Sequence, residues 1–77
     1  MTPDWLPQPS EFIRALMKES HADSVAINTA VAGLLAGHED PGSFHRRDYH
    51  RLHVGPYRVH CIIDGDILNV IRIDKVL

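Results

Sequence analysis

The stretch RLHVGPYRVHCIIDGDILNVIRI, residues 51–73, decides the fold. Gly55-Pro56 and Asp64-Gly65 break it, and around those breaks β-branched and aromatic residues alternate with polar ones. A period of two punctuated by such dipeptides reads as consecutive antiparallel strands joined by tight turns. With Asp64-Gly65 as a two-residue turn, Cys61 falls opposite Leu68, Val59 opposite Val70 and Tyr57 opposite Arg72. These residues make one largely apolar face, suited to packing against helices. The other face then pairs Ile62 with Ile67, His60 with Asn69 and Arg58 with Ile71. Because side chains alternate along a strand, Arg58 and His60 project together on it.

Upstream, the period changes. Phe12, Ile13, Leu16 and Met17 recur at helical spacing, with Ser10 as the expected N-cap and Glu11 in the first turn, where a negative charge suits the helix dipole. Ile27, Val31, Leu34 and Leu35 mark a second helix, from about residue 22 to 36, with Gly37 as its C-terminal cap. Residues 1–9 hold three of the five prolines and read as an extended leader to a single domain over 10–77, with Trp5 and Leu6 available to dock on the core. HEDPGS, residues 38–43, is a turn by its Pro-Gly pair. After it DYHRLHV, residues 48–54, reads as the first strand of a three-stranded meander. The expected fold class is therefore α+β, two antiparallel helices packed on a three-stranded antiparallel sheet, or a four-stranded one if the leader adds a strand.

A chain of 77 residues supports one modest core, and 44% hydrophobic residues suffice for it. Its single cysteine, Cys61, excludes an internal disulfide and, lying in an apolar run, reads as a small buried hydrophobe. The start lacks the basic and apolar segments of a secretory signal, and no stretch is long enough to span a membrane, so a cytoplasmic location is expected. The net charge of −2 conceals an asymmetry. Residues 45–60 carry Arg46, Arg47, Arg51 and Arg58 against Asp48, and four of the six histidines. The remainder is acidic.

The histidines do not form a metal motif. His45, His50, His53 and His60 lack the spacing of ligand pairs, no cysteine accompanies them, and His50 and His53 point to opposite faces of a strand. There is neither a nucleophile in a recognisable turn nor a phosphate-binding glycine loop. Neither metal nor cofactor is expected. Arginine and histidine without a nucleophile suit phosphodiester cleavage by the RNA's own 2′-hydroxyl, in which the protein supplies cations and proton transfer. A solvated polar sheet face is the plain alternative.

The run LHVGPYRVHCIIDGDILNVIRID, residues 52–74, resembles the C-terminal signature of the RelE/ParE toxin superfamily. Leu52, Val54, Gly55, Tyr57, Arg58, Val59, Ile63, Asp64 and the apolar run 67–73 carry the resemblance. His53 stands where an arginine is usual and Pro56 where an acidic or small residue is usual. The end of the pattern, where ribonuclease members carry a further Arg and then a Tyr, reads IDKVL, with Lys75 as its cation. The resemblance implies a toxin-like component of a toxin–antitoxin pair that cleaves mRNA on the ribosome. Arg58 would then bind the scissile phosphate, His50, His53 and His60 would be candidates for proton transfer, and Arg46, Arg47, Arg51, Asn69 and Lys75 would bind RNA. The alternative it implies is a member without nuclease activity that binds DNA gyrase or only an antitoxin. A cognate antitoxin is the expected partner, with a homodimer through an exposed sheet edge as another possibility.

Overall fold

The computed structural model describes residues 1–38 and 44–76. Its elements run β1 (Thr2–Trp5), α1 (Pro7–Glu19), α2 (His21–Leu35), β2 (Phe44–Arg46), β3 (Tyr49–Val54), β4 (Tyr57–Asp64) and β5 (Ile67–Lys75). The strands form one sheet in the order β1-β5-β4-β3-β2. All neighbours are antiparallel except β1, which lies parallel to β5. The expected α+β architecture of a helix pair on a sheet is what the chain forms, with five strands. The expected turn at 38–43 falls, apart from His38, outside the described residues.

The leader is more ordered than its prolines suggest. The amides of Thr2 and Leu6 donate to the carbonyls of Asp66 and Val70, so by alternation position 3 points away from the ladder and Pro3 forfeits no sheet hydrogen bond. Pro7 and Pro9 then sit in the first turn of α1, where backbone N–H groups lack helical partners anyway. The helix therefore starts at Pro7, not Ser10. Ser10 lies inside it, and its hydroxyl donates back to the Trp5 carbonyl (3.2 Å). Beyond β1, the Gln8 side-chain amide donates to the carbonyl of Ile73 (3.0 Å) and accepts from its N–H (2.9 Å). The chain thus closes the β5 edge with its own leader.

Helix α2 ends in the expected glycine. Gly37 has φ +83°, its N–H bonds the Leu34 carbonyl, and the His38 N–H bonds that of Gly33; this pair of bonds satisfies carbonyls left over at a helix end. The core joins Leu16 of α1 and Ile27 and Val31 of α2 to Leu52, Tyr57, Val59, Cys61, Leu68, Val70 and Ile73 of the sheet. Trp5 packs against it, whereas Met17, expected on the apolar stripe, is exposed. The Tyr57 hydroxyl donates to Asp23 of α2 (2.8 Å), tying helix to sheet. That bond, followed by burial, raises the phenol's pKa above its ordinary value.

The β4–β5 register corrects the sequence-based one. Gly65-Asp66 forms the two-residue turn, with φ +59° at Gly65 and Asp64 opposite Ile67. This is the glycine-first arrangement that suits a hairpin. The slip is by two residues, so the faces survive: Tyr57, Val59 and Cys61 point inward as expected. A bulge then inserts Ile71 between the pairs Cys61↔Val70 and His60↔Arg72. It returns Ile73 to the core and turns Arg72 outward, whereas the simple register put Arg72 on the inner face. The slip at the turn places Asn69 opposite Ile62, not His60.

Candidate functional site

The sheet face turned away from the helices carries three rows of side chains. One crosses Arg46, Tyr49, Ile62 and Asn69. The next crosses Phe44, Arg51, His60 and Arg72, and the third His53, Arg58 and Asp74. Each position follows from alternation about a buried neighbour: Leu52 in β3, Val59 and Cys61 in β4, Ile73 in β5.

A hydrogen-bonded chain runs diagonally across these rows. The Tyr49 hydroxyl lies 2.5 Å from His60 Nδ1, and His60 Nε2 lies 3.1 Å from Asp74 Oδ2. Arg72 Nε donates to Asp74 Oδ1 (2.8 Å). A carboxylate only accepts, so in neutral His60 the proton sits on Nε2 and Nδ1 is left as a lone pair receiving the Tyr49 phenol. The Arg72 hydrogen bond, helped by Arg72's charge and by His60, holds the Asp74 carboxyl below the usual carboxylate range against a smaller desolvation effect. The two carboxylate oxygens thus orient His60 of β4 and Arg72 of β5, an arrangement that exists because the bulge turns Arg72 and Asp74 to the face that carries His60.

Arg51 stands beside His60, its guanidinium 5.2 Å from the centre of the Phe44 ring. Its Nε is buried with no hydrogen-bond partner among the described residues. Arg58 Nη1 donates to the carbonyls of Gly55 (3.0 Å) and Tyr57 (2.9 Å). Arg58 faces Asp74 in the register, but Asp74 spends its oxygens on Arg72 and His60.

The sequence-derived candidates divide accordingly. Arg58, His53 and His60 share the outer face with Arg46, Arg51 and Asn69, and Arg47 occupies the β2–β3 turn. His50 lies on the helix side, opposite Cys61, where its ring stacks on His45 at 4.1 Å. Lys75 is also on that side, 5.9 Å from the Tyr57 ring. Among the described residues, no group of three or more His, Cys, Asp or Glu could hold a metal ion.

No protein-family model matches the chain, and no curated protein matches it. Among solved structures, a chain of the chromosomal ParDE TA system from P. aeruginosa is similar, with a TM-score of 0.72 at 16% identity. The match covers 100% of this chain and 97% of that one. The chain has the RelE/ParE-like fold. At that identity the likeness carries architecture, and the site rests on its own geometry. Within this RelE/ParE-like frame, Tyr49, Arg72 and Asp74 are the site residues that sequence reasoning missed. Tyr49 was within reach, since it alternates with Arg51 and His53. Arg72 and Asp74 depended on the bulge. Among the described residues no helix is long and apolar enough to cross a membrane.

Proposed function

We propose that this chain is the toxin-like component of a toxin–antitoxin pair and that it cleaves mRNA on the ribosome through the outer face of its sheet. The observation that carries the reading is the Tyr49–His60–Asp74–Arg72 chain with Arg51 and Arg58 beside it. In this reading His60 Nδ1 takes the proton of the attacking 2′-hydroxyl, directly or through the Tyr49 phenol, and Asp74 balances the imidazolium that forms. The 2′-oxygen bonds phosphorus as the bond to the 5′-oxygen breaks, and in this reading protonated His53, which lies across from Arg58, gives that leaving oxygen its proton. Arg51 and Arg72 neutralise the phosphate, and Arg58 joins them with the N–H groups not used on Gly55 and Tyr57.

Purified chain incubated with ribosome-bound mRNA tests this. Products ending in 2′,3′-cyclic phosphate and 5′-hydroxyl are expected, with the rate falling about 10²–10⁴-fold in His60→Gln. Intact mRNA at the same occupancy would sink the nuclease reading.

Two observations favour a second reading, in which the chain binds DNA gyrase or only an antitoxin without cutting RNA. Its structural neighbour belongs to a ParDE system, and the Arg58 guanidinium is partly engaged with its own turn.

A further inference from the structure

The outer face holds more than the charged rows. Beside Tyr49 lies a pocket of about 300 Å³ lined by Arg46, Arg47, Asp48, Tyr49 and Ile62. That volume sits at the lower end for small-ligand pockets, about 300–1,000 Å³. Its lining brings together a tyrosine and an exposed isoleucine from facing strand positions, two arginines and an aspartate.

The turn that carries Arg47 and Asp48 is held in place. Arg46 pairs with Tyr49, and the Asp48 carbonyl accepts from the Ile63 N–H at 2.9 Å, anchoring the turn to β4. Arg47 has φ +56°, a left-handed conformation that costs a side-chain-bearing residue and that glycine would adopt freely. Keeping an arginine at this pocket-lining position forgoes backbone ease.

Single-stranded RNA is read by stacking unpaired bases on aromatic or apolar side chains and hydrogen-bonding their edges. A carboxylate can only accept, so it suits an edge that presents adjacent donors. Guanine's N1–H and N2–H₂ do so, whereas adenine, cytosine and uracil each set an acceptor beside their donor. Guanine's opposite edge, O6 and N7, is the preferred bidentate partner of arginine.

We infer that this pocket holds a guanine base of single-stranded RNA, stacked against Tyr49 and Ile62, with Asp48 on its N1–H and N2–H₂ edge and Arg46 or Arg47 on its O6/N7 edge. Tyr49 also ends the His60 chain, so the bound guanine lies next to the phosphate that His60 and Arg51 address. This subsite rests on the RNA reading above and adds sequence preference to it.

The test measures binding of labelled 2′-O-methyl oligoribonucleotides, which lack the nucleophilic hydroxyl, to the full chain by fluorescence anisotropy. RNA with one guanine should bind about tenfold or more tightly than the same RNA with adenine in its place. Asp48→Asn should bring that ratio within about twofold, its thermal melt matching the wild type's. Binding without base preference, or a preference that survives Asp48→Asn, overturns the guanine subsite and leaves the RNA reading standing. Free guanosine monophosphate binding as tightly as the RNA overturns the placement of an RNA base there. No binding to any of these RNAs overturns both.

Discussion

Asp74→Asn probes the centre of the site, and its effect can be sized from the geometry. At about 3 Å, two unit charges attract by roughly 5 kcal/mol at an effective dielectric of 20 but only about 1.4 kcal/mol in bulk water. The Asp74 side chain is 38% exposed and Arg72 is 66% exposed, so the lower figure governs that pair. His60 is more sheltered, at 19%, but carries charge only when protonated. Exposed ion pairs contribute about 0.2–1 kcal/mol, which places the two interactions together near 1 kcal/mol. For a domain of this size that is a fall of about 4–8 °C in Tm.

The sign with pH follows from the depressed Asp74 pKa. Its contribution is fully present above the unfolded carboxylate value, near 3.9, and disappears as pH falls through the lower folded value. Urea titrations of wild type and Asp74→Asn should therefore differ at pH 7, with the gap closing progressively as pH falls below about 4. High salt should narrow the gap at pH 7. A gap of the same size at low pH, or none at pH 7, would refute the assignment of Asp74 as the ionised partner of Arg72 and His60.

Other consequences are simpler. Ile27→Ala removes a fully buried side chain between α2 and the sheet; a loss of about 2–5 kcal/mol is expected, read by chemical denaturation. Cys61 is buried and its thiol is pushed up to about 12, so it should resist a thiol reagent at pH 8 until urea unfolds the chain; rapid labelling of folded protein would contradict the core placement. Arg47→Gly relieves a left-handed φ and should leave stability unchanged or raise it by about 1 kcal/mol in thermal melts, while weakening RNA binding.

Much of the sheet was legible because strand parity is robust. Moving the turn from Asp64-Gly65 to Gly65-Asp66 changes every partner by two positions and no face, so Tyr57, Val59 and Cys61 inward and Arg58 and His60 outward follow from either register. The bulge breaks the alternation, since Val70 and Ile73 are both buried with two residues between them, but Ile71 is itself apolar and hides the break in the apolar run 67–73. The whole right-hand side of the site, Arg72 and Asp74, depends on it. Strand β1 was obscured by Pro3, because a proline argues against a ladder only where its missing N–H would have pointed at a partner. Strand β2 has three residues, all exposed, and joins β3 through its backbone and through ring contacts of Phe44 and His45 without burying a side chain. Nothing in its hydropathy could have announced it. Lys75 lies on the helix side of the sheet, opposite Tyr57, because the bulge and the turn together fix the parity of the last strand's end.

The central claim is that the outer face cuts RNA, and induction of the chain in a bacterial host tests it most directly, with wild type, His60→Gln and Arg58→Ala compared. The account predicts growth arrest with mRNA cleaved and chromosomal DNA intact, and both variants, soluble and folded, releasing the arrest. Arrest with intact mRNA and broken DNA would contradict it and move the action to gyrase, and no arrest from soluble wild-type protein would leave the chain a binding module.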